Sequence, residues 1–554
     1  MNRSRILVGT ALASTALLTA GCGSGSDSGN AGSKEPIQSG GTLTGYYSNF
    51  PDSLDPALAF TSNSFQVMWP VYGTLLTYKR GAGAAASELT PGLASAMPDI
   101  SADGTGYTLT LRPGLTYSDG SAVKASDFEH EIKRVLQLQS GGATYYGGIQ
   151  GVDAYTKAGK ADGDISGITA NDATGTIRIR LTAPDAQFKY KLALPFAALV
   201  PGDTPFKDET KTPPPGVGPL SITNVQDRKG FSLQKVASFK ALPDVPVASA
   251  DRIDISIVSN QRRQAQDVLQ NKVDFINDPP PADQLRILRE QAKGRYAEYT
   301  TNSTYYYFLN VQAKPFDDPL VRQAVATAVD ERALARLFSG LLEPDCNLLA
   351  PGMVGYKKLN PCPYGAIDQA PDIAKAKALI QQSGHAGESI TVWSDDQDPS
   401  PAVANYMADL LNQIGLKAKP KSIDGDSFYN AVSDQSTKAQ IGVYNWFEDY
   451  PHPQSFLQLV DGKAITPTYN INLSNENDPA LNALIKKGDS YLDVHQGEAA
   501  FEQADALAVK DASVIPYGHR KLTVITSDRV AFGRVFFSPV YQLDFSSLAL
   551  KATK

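Results

Sequence analysis

The chain has 554 residues, a formal net charge of −7, 42% hydrophobic residues and 20% charged residues. That composition is ordinary for a globular protein and excludes disordered and fibrous classes. No basic cluster stands out, which argues against nucleic acid or anionic lipid surfaces as partners, and the length is too great for one hydrophobic core, so two or three domains are expected.

Met1-Asn2-Arg3-Ser4-Arg5 is a short basic start, residues 6–18 are almost wholly apolar, and Thr19-Ala20-Gly21 are small. That order is an export signal. The apolar run is shorter than the about 20 residues that span a bilayer, and no later run approaches that length, which excludes a channel or permease. Cys22, directly after the small residues, resembles the cysteine of a bacterial lipobox, with Thr19 where that motif prefers leucine. The resemblance implies a lipoprotein signal peptide over 1–21 and a lipidated Cys22. An ordinary secretory signal is the alternative, and either places the protein outside the cytoplasm. Residues 23–34 (GSGSDSGNAGSK) are Gly, Ser, Asn and Asp almost throughout, so 22–37 reads as a flexible leash. It would hold the protein to the outer face of the cell membrane by its lipid, with a folded body beginning near Gly40.

Strands are expected at 41–47, 107–111, 176–181, 252–258 and 389–393. Helices are expected at 320–337 after Asp318-Pro319, at 371–383 before Gly384, and at 401–414 before Gly415, each with an apolar stripe at helical spacing. Strands alternating with helices of this length predict an α/β fold with largely parallel sheets. Pro213-Pro214-Pro215 and Pro279-Pro280-Pro281 mark loops.

Cys346 and Cys362 are the only cysteines besides Cys22. In an oxidising compartment the pair reads as a disulfide closing a Pro/Gly-containing loop, worth roughly 3 kcal/mol. No catalytic constellation is legible. GxSxG, SxxK and HExxH are absent, the five histidines (His130, His385, His452, His495, His519) are far apart and read as surface or loop residues, and no phosphate-cradling glycine loop follows a strand. The expectation is a non-enzyme without cofactor or metal. Tyrosine is abundant, at 25 residues, and concentrates at 46–47, 145–146, 305–307 and 444–450. Its large apolar face and polar tip suit a pocket for varied ligands, although strand tyrosines also fill sheets.

Five segments then line up in one order. They are SLDP at 53–56; PGLA at 91–94, leading into YTLTLRPGLTYSDGSAVKASDF at 107–128; YYY at 305–307; PFDDPLVRQAVATAVD at 315–330; and WFEDYPHPQSFL at 446–457. Together they resemble the family 5 solute-binding proteins of ABC importers, which include oligopeptide, dipeptide and nickel receptors. The resemblance covers about residues 38–550. It implies a two-lobed periplasmic-binding-protein-like fold (class II, cluster C) with an extra subdomain in the first lobe. Lobe I would comprise 38–85, 206–302 and 526–554, the subdomain 86–205, and lobe II 303–525, with crossings near 302 and 525 as the hinge. Residues 125–127 would cap a helix starting at Phe128.

The resemblance also implies peptide capture in an interlobe cleft and delivery to a permease whose ATPase is a separate chain, the receptor itself being a monomer. A nickel chelate, a sugar or another small solute is the alternative ligand, and an exported hydrolase the less favoured class. In peptide-binding members the aspartate of the WFEDYP segment pairs with the ligand's α-ammonium, a role that falls on Asp449. The backbone of Asn445, Trp446 and Phe447 would pair with an extended peptide as an added strand. Tyr306 matches a cleft-lining position, Tyr46 and Asn49 complete the expected ligand contacts, and Phe308 departs from an acidic residue found in some oligopeptide receptors.

Overall fold

The computed structural model describes residues 35–80 and 83–552, so the leader, Cys22 and the leash through Lys34 lie outside the described residues. The frame is a twelve-stranded mixed sheet. In one half, Thr42–Tyr47 runs parallel to Arg252–Ile257 and Phe275–Ile276, and Gly230–Lys235 and Leu220–Gln226 extend the edge antiparallel. In the other half, Ser389–Asp395 runs parallel to Lys417–Ile423 and to the start of Ile441–Phe447, which pairs antiparallel with Ser303–Leu309.

One long strand, Val514–Thr526, joins the halves. Its first part pairs with Ser303–Leu309 and its second with Tyr296–Thr300 and Phe275–Ile276. The sheet is therefore not largely parallel: at its centre, consecutive strands meet a long return strand antiparallel. The strand changes partners between Gly518 and Lys521. At that point it lies beside Thr301 and Asn302 and is laced to them. Thr301 N–H donates to the Arg520 carbonyl (3.2 Å), Arg520 N–H donates to Ser303 Oγ (3.2 Å), and His519 Nδ1 lies 2.8 Å from the Ser303 carbonyl.

Local rules explain the helices. Asp318 caps Pro319–Ala328, which buries Val321, Ala324, Val325 and Ala328. The single helix expected over 320–337 is two helices, because Val329 is extended and Asp330 starts Glu331–Leu337 by accepting from Ala333 N–H (3.0 Å). A good cap here outweighs continuous apolar spacing. Ile373–Ser383 and Ser400–Ile414 stop at Gly384 (φ 75°) and Gly415 (φ 110°), a left-handed conformation that costs glycine little. Ser126–Gln137 begins without a side-chain cap. Asp127, expected to help cap it, accepts instead from Lys124 N–H (2.8 Å) and the Tyr117 hydroxyl (2.7 Å).

An antiparallel four-stranded sheet of Asp99–Ile100, Gly106–Thr110, Thr176–Arg180 and Ile168–Asn171 packs with Ser126–Gln137 around Tyr107, Phe128, Ile132 and Ile177. The SLDP turn fastens this unit to the main sheet. Arg134 Nη2 lies 2.6 Å from Asp55 and its Nη1 lies 2.8 Å from Glu131, with all three side chains fully buried. The N–H groups of Ala57 and Glu209 also donate to Asp55, which satisfies lone pairs that burial would otherwise strand.

At the termini, Gln38 N–H donates to the Leu550 carbonyl and Ala552 N–H to that of Pro36, so residues 36–38 are tied to the body. Cys346 and Cys362 form a disulfide. Among the histidines, His452 and His519 are buried rather than superficial (1% and 0% exposed). Ring packing against Tyr190 and Phe501 encloses His452.

Candidate ligand-binding site

Strand Ile441–Phe447 places Phe447 opposite Ser303, Trp446 opposite Thr304 and Asn445 opposite Tyr305. On its other edge Ser389–Asp395 pairs only with Ile441 and Gly442. From Val443 to Phe447 that edge has no strand partner among the described residues, and its N–H and C=O groups form a template for an extended chain. Alternation sets the side chains. Tyr444 and Trp446 share a face with Tyr306, whose ring meets Tyr444 edge-on at 6.1 Å. Phe447 turns to the opposite face, against Tyr305 at 6.4 Å, and alternation puts Asn445 on that face too. The buried Tyr306 hydroxyl and Trp446 Nε1 find no hydrogen-bond partner among the described residues.

The strand ends in a loop of three consecutive residues with different partners. Glu448 is tied to the crossing: its N–H donates to the Asn302 carbonyl (2.9 Å) and its Oε1 accepts from Asn302 Nδ2 (3.0 Å). Asp449 accepts at Oδ2 from Gln458 Nε2 (3.2 Å) and Ser455 Oγ (3.4 Å), and its N–H donates to Ser455 Oγ (2.8 Å). The Tyr145 hydroxyl also hydrogen-bonds to it. All of these donors are neutral, and among the described residues no ion pair within 4.0 Å includes Asp449. Burial without a counter-charge raises its carboxyl from 3.8 to about 7, the three donors opposing that shift. Burial raises Glu448 to about 8, the Asn302 bond opposing and the Asp449 charge adding to the rise.

Tyr450 reaches across to the subdomain. Its hydroxyl donates to Gln187 Oε1 (2.7 Å), its ring stacks on Tyr190 at 6.1 Å, and Tyr145 meets it edge-on at 6.3 Å. Nearby, Lys189 Nζ donates to the Leu492 carbonyl (2.9 Å). Burial, and then Lys189 and Lys191, depress His452 to about 3. It is therefore neutral, packed between the Tyr190 and Phe501 rings.

Of the residues expected from sequence, Asp449, Trp446 and Tyr306 are gathered at this strand end, with Asn445 and Phe447 contributing main chain. Tyr46 lies elsewhere, packed with Val268 and Ala265 beneath helix Gln261–Leu269 and close to Arg263 and Asp267. Asn49 is exposed in the loop after the first strand. Sequence reasoning missed Tyr145, Gln187, Tyr190, Glu448 and Asn302. Tyr145 and Tyr450 fall within the tyrosine concentrations at 145–146 and 444–450, but nothing in the sequence pairs positions about 300 residues apart. No group of three metal-ligating side chains occurs among the described residues, and no helix among them is long and apolar enough to cross a membrane.

Two sheet halves joined through one long strand make a two-lobed α/β frame, with a strand edge ending in an acidic loop. Residues 88–467 match the model of the bacterial extracellular solute-binding proteins, family 5 (Middle), and the chain belongs to that family. It is 24% identical over 535 residues to the dipeptide-binding protein DppE of Bacillus subtilis, covering 93% of this chain and 94% of that one. It is 25% identical over 534 residues to heme-binding protein A of Haemophilus influenzae, covering 92% and 93%. Among solved structures it resembles clavulanic acid biosynthesis oligopeptide binding protein 2, with a TM-score of 0.86, 24% identity and coverage of 95% and 98%. The curated relatives are substrate-binding proteins, and the family is extracytoplasmic.

Proposed function

We propose that this protein captures peptides between its lobes and presents them to the membrane permease of an ABC importer, without catalysing a reaction. The observation that carries this reading is Asp449: a carboxylate served only by neutral donors, at the end of an unpaired strand edge. An extended peptide paired with Val443–Phe447 would bring its α-ammonium to that carboxylate, supplying the missing counter-charge. The buried Trp446 Nε1 and Tyr306 hydroxyl beside the strand are donors suited to peptide carbonyls. Main-chain pairing leaves side-chain identity loosely specified, as befits uptake of mixed peptides. The relatives named for dipeptides and oligopeptides support the ligand class.

In this reading the body to residue 301, without the subdomain, forms lobe I together with the return after Lys521, and the segment between forms lobe II, a division the strand pairings support. Thr301–Asn302 and His519–Arg520 are the hinge. Cys22 is proposed as the lipid anchor that keeps a monomeric receptor beside its permease. Cys22→Ser should release the protein from the membrane fraction, and retention of that variant would refute the anchor.

Calorimetric titration with Ala-Ala-Ala and N-acetyl-Ala-Ala-Ala tests the ligand reading. The free tripeptide should bind and acetylation should weaken binding at least tenfold, the low end of a charge-assisted bond. Equal affinity for both, or no binding of either, would overturn it.

A further inference from the structure

A cavity of about 240 Å³ lies apart from the acidic loop, and none of residues 443–450 lines it. One wall is the stretch 514–516, the start of the long strand, which pairs with Tyr306, Tyr307 and Phe308. A second is the end of helix Pro319–Ala328, with Glu331 opening the next helix. The third is the loop 362–372.

That loop is pinned at three places. The disulfide to Cys346 holds one end, and the Tyr364 hydroxyl donates to the Lys510 carbonyl. Arg332 forks onto two carbonyls, Nη1 donating to Asp368 (2.9 Å) and Nη2 to Gln369 (3.0 Å). The cavity thus has a fixed wall rather than a loose flap. Pro363, Gly365, Gln369 and Ala370 are exposed on it, so the space is reached from solvent there.

The charge of the lining is uneven. Glu331 and Asp372 contribute two carboxylates against the one ammonium of Lys375. Asp372 is exposed and accepts at Oδ1 from Lys375 N–H (2.8 Å), where it caps Ile373–Ser383. Glu331 is half-buried, and only its own N–H serves its carboxylate among the described residues. The adjacent Arg332 pairs with Asp330 instead (3.7 Å). Burial raises the Glu331 carboxyl from 4.5 to about 7; the charges of Asp330 and Asp345 add to the rise, and its own N–H and Arg332 oppose it. A desolvated carboxylate without an ion pair gains from a cation brought to it.

We propose that this cavity is a second binding site, which takes a small organic ammonium ion: Glu331 meets its charge, and its apolar body lies against the Ala326, Val329, Pro363 and Ala366 lining. The volume is below the about 300–1,000 Å³ of drug-sized sites, so the ligand is small. The site goes beyond the peptide reading and stands without it.

The test is ligand-observed NMR titration with cyclohexylamine and with cyclohexanol, its uncharged counterpart. It is run in Asp449→Asn, so that the carboxylate of the acidic loop cannot hold the amine. Asp449→Asn should bind cyclohexylamine, and cyclohexanol at least tenfold more weakly. Asp449→Asn/Glu331→Gln should lose at least tenfold in amine affinity, the low end of a charge-assisted bond. Gln keeps the shape of Glu and removes a charge that burial disfavours, so the double variant should melt no lower than the single one. Glu331→Gln alone should bind Ala-Ala-Ala as wild type does. No amine binding, equal affinity for amine and alcohol, or amine affinity unchanged by Glu331→Gln would each overturn the site. A wild type that binds no tripeptide would overturn the peptide reading and leave this one intact.

Discussion

Replacing Asp449 by Asn separates the site's contribution to binding from its effect on the fold. The amide keeps an oxygen that can accept from Ser455 and Gln458, and removes the charge. In the wild type the carboxyl titrates at about 7 rather than 3.8. An acid with a raised folded pKa contributes stability that is full below its unfolded value and lost as pH rises through the folded one. Between pH 5 and pH 8 the wild type therefore forfeits up to about 2.5 kcal/mol through this group, whereas Asn, which does not titrate, forfeits nothing. Asp489 is also raised by burial, to about 7, but both proteins carry it unchanged and it cancels, whereas Glu448 loses the part of its rise that the Asp449 charge supplies, a change that acts in the same direction. The melting temperature of Asp449→Asn relative to wild type should thus rise from pH 5 to pH 8 in the absence of ligand. Opening of the lobes rehydrates the carboxyl, so the full figure is an upper bound. Affinity for Ala-Ala-Ala at pH 8 should move the opposite way, falling roughly 10- to 100-fold with the loss of a charge-assisted bond. A variant whose relative melting temperature is flat with pH and whose peptide affinity is unchanged would refute the reasoning on both counts.

Arg134→Met leaves Asp55 and Glu131 buried without their cation, so urea unfolding should show a loss of about 3–5 kcal/mol; a neutral result would mean that water reaches the triad. Tyr450→Phe removes the hydroxyl that donates to Gln187 across the lobes. It should weaken Ala-Ala-Ala binding about fivefold, equivalent to about 1 kcal/mol, with the liganded radius of gyration by X-ray scattering shifted toward that of the free form. The double variant Cys346→Ser/Cys362→Ser should lose about 3 kcal/mol of stability, matched by wild type in reductant and measured by thermal melting. Gly488→Ala should destabilise lobe II, because a Cβ there would lie 2.3 Å from the Phe501 ring; an unchanged urea midpoint would show that the ring can step aside.

Much of the frame is legible in the sequence because it is written in local signals. Asp318-Pro319, Gly384 and Gly415 mark helix ends by backbone chemistry that acts within a few residues, and the strand at 252–257 buries Ile253 and Ile255 on one face. The break at Val329 was missed because an apolar stripe continues past it, and only the Asp330 cap decides. The mixed sense of the sheet depends on which distant strand Val514–Thr526 lies beside, which local pattern does not encode. At the site, Asp449 and Trp446 lie in one motif and could be named together. Tyr46 could not be sorted from Tyr47 without knowing which strand face looks at which helix: Tyr47 is fully buried in the first-lobe core, while Tyr46 faces the helix Gln261–Leu269. Tyr145, Gln187 and Asn302 reach the acidic loop only through tertiary contact.

In the proposed reading, the partners of residues 448–450 would couple ligand charge to lobe geometry. Glu448 is bound through both main chain and side chain to Asn302, so the loop cannot shift without moving the first crossing. Tyr450, two residues on, is hydrogen-bonded to Gln187 and stacked on Tyr190 of the subdomain, so the same loop carries a lobe-to-lobe contact. Asp449 lies between them, with a carboxyl that burial opposes ionising and that only a cation would favour charged. Closing the lobes without a ligand buries that carboxyl unpaired, and closing them on an ammonium buries an ion pair. In the proposed reading the difference would enter at the residue flanked by the hinge contact and the interlobe contact, so a cationic ligand would favour the closed arrangement by the amount it stabilises Asp449. A ligand without the ammonium, such as the acetylated tripeptide, would have strand pairing to bind with but no such differential to close the lobes.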